Sequence, residues 1–278
     1  MRKGVTCVSV EPPHERPEPR SDARSHMRMP DWAHDYFERG YGQRWGLPAP
    51  SDNVRREARG IWDLLQLSRV SRVVDVGCGH GRHALALAEL GASVVGLDFS
   101  VALLSRAQQL AEAARTHVHW IRGDMRQLAL RSECADAVLI MDAIGFFETE
   151  EEHETVVREA GRIVRNGGTL MLKVVNGVPI MAAFRDTERL ERDGVEVLVS
   201  STLSLNPPRV TQRVSVSGSR GHGTYERRQR LYRVEELQAA LECGGFSVVA
   251  AFANADGAPF KPTESSTIWI VGQRGGTI

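Results

Sequence analysis

Asp75, Gly77, Gly79 and Gly81 alternate within Val73-Val74-Asp75-Val76-Gly77-Cys78-Gly79-His80-Gly81-Arg82-His83. A buried-type apolar run enters this stretch, and a helical pattern leaves it. Glycines let a backbone turn tightly and come close to a ligand with no Cβ in the way. The helix start behind them offers unpaired amides. A second apolar run, Val94-Val95-Gly96-Leu97-Asp98, places a carboxylate about 20 residues on, the separation at which an acid holds ribose hydroxyls. These residue types in this order imply a site for a nucleoside-containing cofactor.

The glycine spacing narrows the cofactor. Dinucleotide sites use G-x-G-x-x-G/A, and the third glycine position falls here on Arg82, whose bulk disfavours that close helix–strand packing. Three further segments end apolar runs with polar residues: Gly123-Asp124-Met125, Asp142-Ala143-Ile144-Gly145-Phe146-Phe147, and Asp98-Phe99. Together with Asp75 to Gly81 they resemble the class I S-adenosylmethionine (SAM)-dependent methyltransferases, in a small-molecule branch with a glycine N-methyltransferase-like core. The resemblance spans roughly Trp32 to Arg274.

The resemblance implies roles residue by residue. The backbone of Asp75, Gly77, Cys78 and Gly79 lines the methionine end of SAM. Asp98 binds the ribose, and Phe99 flanks the adenine. Asp124 accepts from the adenine amino group, and the Met125 amide meets the ring. Asp142 stands beside the methionine amino group. Arg55, early in the helix before the first strand, pairs with the SAM carboxylate. Apart from the resemblance, Tyr36 is the aromatic placed to cover the cofactor, and Phe146, Phe147 and Arg230 are candidates to face the substrate. The polar-Pro-Pro-aromatic motif of nucleobase and protein-amide methyltransferases is absent.

No residue is singled out as a catalytic base. Displacement at a sulfonium draws its rate largely from proximity and exclusion of water. His153, His222, Tyr36, Tyr41 and Tyr225 are the ionisable candidates. His80 and His83 belong to the cofactor turn. No metal ligand spacing is present, since the four cysteines, at 7, 78, 134 and 243, are scattered.

The elements that must position these residues follow from the hydrophobic pattern. Strands are expected at 72–76, 93–98, 118–122, 135–141 and 169–175, alternating with helices at about 81–90, 100–114 and 150–165. Fully apolar strands between helices imply a parallel sheet covered on both faces. The fold class is therefore α/β: a doubly wound, Rossmann-like, seven-stranded and mostly parallel sheet with an antiparallel last strand. A helical piece at 178–192 and alternating segments at 195–204, 210–217 and 224–232 add a small antiparallel β insertion. The division reads 1–28 a Pro-rich disordered leader, 29–68 an aromatic helical lid and helix, and 69–175 the cofactor-binding core. Residues 176–232 form the insertion, a substrate cap or oligomer contact, and 233–278 end the core sheet; the N-terminal segment is the other candidate contact for a homo-oligomer.

Composition bounds the partners. Acidic and basic residues number 35 each, so the formal charge is zero, and nucleic acid is a disfavoured partner. The apolar fraction of 42% and charged fraction of 25% are those of a globular enzyme. No apolar run is long enough to span a membrane, and scattered cysteines fit a reducing cytoplasm. The expected function is methyl transfer from SAM to an O, N or C atom of a small molecule, such as a natural-product intermediate. Three other readings remain open: a SAM-binding cyclase or regulatory protein that transfers no methyl, an RNA methyltransferase using the cluster Arg227, Arg228, Arg230 and Arg233, and an NAD-dependent reductase.

Overall fold

A computed structural model describes residues 29–275. The leader expected at 1–28 lies outside them. Five parallel strands carry the site: β1 (Arg72–Val76), β2 (Ser93–Asp98), β3 (His119–Arg122), β4 (Ala135–Met141) and β5 (Val164–Val175). Val, Ile and Leu on both faces bury most of β1, β2 and β4 and the second half of β5, so helices must cover both sides. The sheet order is β10-β11-β5-β4-β1-β2-β3. Here β10 is Phe246–Phe252 and β11 is Thr267–Arg274. β11 runs antiparallel to both neighbours. The expected fold class holds.

The strand order reverses between β1 and β4, which pair in parallel: β2 and β3 are added on one side of β1, and β4 and β5 on the other. A crevice opens at such a switch point, outside the carboxyl ends of the strands. Two apolar layers lie on the two faces of the sheet. One gathers Val74, Leu97, Ile140, Phe147, Val156 and Leu170. The other gathers Ile61, Val73, Leu85, Leu87, Leu139 and Met171.

Helices follow from local signals. Ser51 accepts from the Val54 amide and starts α3 (Asp52–Leu64). Ser100 does the same for Leu103 at the start of α5 (Val101–Ala114). Thr149 and Glu152 form a reciprocal capping box on α6 (Glu150–Ile163). The N-terminal segment is helical but short-pitched in parts: α1 (Asp31–Asp35), one π turn (Tyr36–Gly40) and α2 (Tyr41–Trp45). The remaining helices are α4 (Arg82–Leu90), α7 (Gly177–Ala182) and α8 (Val234–Cys243).

Two elements differ from expectation. The helix expected at 178–192 stops at Ala182, and Thr187–Arg192 is a strand, β6. It pairs antiparallel with β7 (Val195–Leu205), which continues through β8 (Pro208–Gly218) and β9 (Gly221–Arg230). The insertion is thus a four-stranded sheet. Its inner face buries Val197, Val199, Val214, Val216 and Tyr225 against Tyr36 of the N-terminal segment. The second difference is at β5, which starts at Val164 rather than 169. Val164 pairs with Ala135, and a register shift follows before the pairing resumes at Ala137 and Thr169.

Candidate cofactor and acceptor site

The loop after β1 is held by β2. The amides of Gly77 and Cys78 both donate to the Leu97 carbonyl, at 2.7 and 3.0 Å. Gly77, Gly79 and Gly81 all have positive φ, at 70°, 58° and 79°, which favours glycine over any residue with a Cβ. Around Gly79 an added Cβ would meet no atom within 4 Å. The loop crest therefore faces open space, the cradle a ligand needs.

Asp98, at the end of β2, braces this loop. Its carboxylate accepts from the Gly79 amide at 2.8 Å and the Ser100 amide at 2.9 Å. Each oxygen retains a further acceptor position. Burial raises its pKa to about 6, against the pull of those amides. Asp75 lies beneath the loop, 1% exposed, with Oδ1 buried and no hydrogen-bond partner. Burial raises it to about 7, with Arg82 opposing and Asp98 reinforcing the shift. A buried carboxylate with an orphaned oxygen is a place for a cationic ligand group.

A cavity of about 450 Å³ opens above these residues. Gly77, Cys78, Gly79, Asp75, Asp98 and Phe99 form its floor, and Met125, Asp142, Phe146 and Phe147 one wall. Tyr36, Phe37, Tyr41, Arg44 and Trp45 of the N-terminal segment form the roof. A second recess shares Met29 and Phe99 with it and contains Asp124. Of the residues singled out from sequence, Asp75, Gly77, Cys78, Gly79, Asp98, Phe99, Met125, Asp142, Tyr36, Phe146 and Phe147 line one cavity, and Asp124 its neighbour.

Phe37 links the parts. Its ring meets Phe99 edge-on at 5.8 Å and Phe146 at 5.1 Å. Glu38 then fastens the roof to the core. Its two carboxylate oxygens accept from the Val101 and Ala102 amides, at 2.8 and 3.0 Å, at the start of α5. An acid at a helix N-terminus is stabilised by the dipole as well as the hydrogen bonds.

Asp142 has φ +57°, uncommon for a residue other than glycine. Its carboxylate meets Lys173 at 2.6 Å and Arg82 at 3.6 Å. Asp124 is drawn to Arg126, whose backbone amide, Nε and Nη2 donate to it at 2.6–3.1 Å. Three donors on a carboxylate leave about one acceptor position.

Two expected site residues stand elsewhere. Arg55 is half-buried and pairs with Glu89 at 3.0 Å, because the start of α3 lies against α4 rather than over the crevice. Arg230 turns to Glu150 at 3.0 Å and to Glu236, so it locks the insertion to the core instead of facing a substrate. His153 is buried and accepts from the Phe147 amide; burial pushes its pKa down to about 3. His222 and Tyr225 do not line the cavity. Tyr225 is buried in the insertion core. His80 does line it, and burial lowers it to about 4. Burial raises Tyr41. The supposed basic cluster is divided: Arg228 pairs with Glu226 and Glu148, Arg230 is spent, and Arg227 points inward to the cavity.

Sequence reasoning missed Glu38, Arg44, Lys173 and Gln229, and read Arg82 only as an obstacle. Lys173 carried a signal: it is one of three lysines in the chain, and it interrupts the apolar run Leu170–Val175.

Comparisons with known proteins agree with this geometry. Residues 73–168 match the model of a methyltransferase domain family. A putative methyltransferase of Bacillus subtilis is 26% identical over 223 residues, covering 74% of this chain and 90% of that protein. One from a Geobacillus species is 27% identical over 200 residues, covering 69% and 81%. Among solved structures, the CcbJ methyltransferase from Streptomyces caelestis superposes with TM-score 0.74 at 20% identity, over 87% of this chain and 98% of that one. The SAM-bound amino pentose methyltransferase of calicheamicin biosynthesis from Micromonospora echinaspora gives 0.57 at 22% identity, over 94% and 99%. Residues 73–168 thus match a methyltransferase domain, and the fold is one shared with SAM-dependent methyltransferases.

Proposed function

We propose that the chain transfers a methyl group from SAM to an O, N or C atom of a small molecule, a natural-product intermediate being the favoured class. One observation carries this reading: the open crest at Gly79, the braced carboxylate of Asp98 and the orphaned oxygen of Asp75 line one cavity. The similar solved structures include an amino pentose methyltransferase of calicheamicin biosynthesis and a sugar N-methyltransferase from Streptoalloteichus, which supports the substrate class.

SAM supplies an electrophilic methyl on a sulfonium. The S–CH3 bond breaks as the acceptor–CH3 bond forms, the electron pair returns to sulfur, and the acceptor sheds its proton where it has one. Asp98 accepts the two ribose hydroxyls at its free positions. Phe99 and Met125 flank the adenine, and Asp124 offers its remaining acceptor position to the amino group. Asp142 and Asp75 balance the cationic amino-acid end. Arg82 replaces Arg55 as partner of the carboxylate, since it stands at the loop while Arg55 does not. Tyr36 and Phe37 roof the site and exclude water, which strengthens each electrostatic contact beneath.

A strong general base is not required. His80 is held neutral by burial, and Tyr41 holds its proton more firmly than a free phenol. The acceptor therefore arrives as an amine, an enolate-like carbon or an oxygen anion, or gives its proton to solvent as the bond forms. A cytoplasmic setting belongs to the same proposal; Cys78, Cys134 and Cys243 are free thiols. Among the described residues no helix is long and apolar enough to cross a membrane.

The test is transfer of an isotope-labelled methyl from SAM in an extract of the source cells, with mass spectrometry locating the label. Labelled small molecule is the expected result; labelled RNA, or SAM binding with no S-adenosylhomocysteine formed, overturns it. Asp98→Ala removes an acceptor of two hydrogen bonds from a charged group. At about 1.5–3 kcal/mol each, SAM affinity falls by a hundredfold or more in calorimetry, and unchanged affinity would remove Asp98 from the site.

A further inference from the structure

The cavity holds more positive charge than the cofactor can answer. Arg44, Arg82, Lys173 and Arg227 line it, against Asp75, Asp98 and Asp142. Lys173 and Arg82 share Asp142, and Asp98 is committed to amides and ribose. Arg44 and Arg227 have no carboxylate partner among the described residues. The Nε of Arg44 is buried without an acceptor, and its guanidinium stacks on Trp45 at 4.7 Å. Arg227 donates only to neutral groups, Gln212 Oε1 at 2.7 Å and Gln229 Oε1. Its guanidinium lies over Phe146 at 5.3 Å. Burial lowers the Arg227 pKa; Tyr36, Tyr41 and the more distant Asp142 act against the shift, and the neighbouring charge of Arg44 adds to it.

Two like charges facing one cavity without a counter-ion cost free energy unless a ligand supplies one. SAM brings one carboxylate against an ammonium and a sulfonium, so it adds net positive charge. The second substrate must bring the anion. The guanidinium fork suits a carboxylate better than a point charge would, and Phe37, Phe146 and Trp45 offer flat apolar surface beside it.

We propose that the methyl acceptor is an aromatic carboxylic acid, its carboxylate held by Arg227 with Arg44 as second partner and its ring packed against the aromatic cluster of Phe37, Phe146 and Trp45 that lines the cavity. This rests on the methyltransferase reading above. It makes Arg227 the residue that sets substrate charge. The carboxylate is the anchor, and the atom that receives the methyl lies elsewhere on the ring or its substituents.

The test titrates benzoate, and benzamide as its neutral counterpart, into the full chain saturated with S-adenosylhomocysteine. Benzoate binds, and benzamide binds about tenfold or more weakly. Arg227→Gln erases the difference and leaves S-adenosylhomocysteine affinity within about twofold, while Arg227→Lys restores part of it. Equal binding of the two probes, or no binding of benzoate, overturns the proposal. So does loss of S-adenosylhomocysteine affinity in Arg227→Gln with benzoate unaffected, which would give Arg227 to the cofactor's own carboxylate. Arg44→Gln, on a separate element, is read in the same way if Arg227→Gln does not fold. Failure of S-adenosylhomocysteine to bind the wild-type chain sinks the methyltransferase reading instead; the two probes are then compared in the free protein, so the two failures separate.

Discussion

At the scale of single residues, the two acids under the glycine loop make a pH-dependent pair. Unfolded aspartates lose their proton near 3.8, whereas Asp98 keeps its own to about 6 and Asp75 to about 7. Between those values the folded chain binds more protons than the unfolded one, so its stability without ligand falls as pH rises from about 4 to about 7. For Asp75 a shift of this size is worth on the order of 4 kcal/mol, and Asp75→Asn, uncharged and of the same shape, escapes it. Thermal unfolding should therefore show the wild type losing stability relative to Asp75→Asn from pH 4 to 7.5; parallel curves would disprove the assignment. The cationic end of SAM favours the charged carboxylates, so binding expels protons and affinity rises with pH through the window from about 6 to about 7. Calorimetry in buffers of different ionisation enthalpy reads this release, which Asp75→Asn should diminish. The identity of these acids was legible from their spacing. Their protonation was not, because it depends on burial and on Arg82 and Asp98 arriving together at one point in space.

At the scale of elements, local signals located most strands, and two were misread for traceable reasons. Thr187–Arg192 is rich in Glu, Arg and Leu, which favour helix, yet it folds as β6. The deciding signal is Asp193-Gly194, both at positive φ, 52° and 71°. This is the two-residue hairpin turn that matches strand twist, and it sets Arg192 opposite Val195. At β5, Asn166-Gly167-Gly168 looks like a turn but lies within the strand, where the register shift beside Ala135 absorbs it. The roof was visible as a cluster of aromatics; its fastening was not, since Glu38 meets amides more than 60 positions away. Glu38→Ala strips two hydrogen bonds and a dipole contact from the start of α5. The cost is about 1–2 kcal/mol, and it falls on the roof rather than on the core sheet. Hydrogen exchange should quicken at residues 31–45, and SAM affinity should drop about five- to tenfold. Faster exchange spread evenly over the strands would show that Glu38 stabilises the fold as a whole and not the roof.

At the scale of the whole molecule, the insertion decides how copies of the chain can meet. An open antiparallel sheet has two edges, and unpaired edges invite pairing with another chain. One edge here is β9, and the core covers it. Arg228 reaches Glu148, which also takes the Trp32 indole N–H, and Arg230 reaches Glu150. The other edge is β6, solvent-exposed and carrying Glu188, Arg189 and Glu191. Arg189 is answered across the strand pair by Glu196, so the charges are arranged within one chain. Edge-to-edge pairing of two copies would desolvate Glu188 and Glu191, which have no ion-pair partner among the described residues, and such burial is costly. The exposed large apolar residues are Trp45, Val70, Val101, Leu190, Leu198, Leu205 and Val249, three of them on the paired strands β6 and β7. The insertion lines the cavity with Arg227 and Gln229, and its one exposed edge, β6, carries charges that disfavour pairing with a second copy. Light scattering should report a monomer close to 30.7 kDa. Replacing Glu188 and Glu191 together by Val should produce association that grows with concentration, because the edge loses the charges that protect it. A stable dimer of the wild-type chain, unaffected by that replacement, would move the oligomer contact to another surface and leave the charged edge without this role.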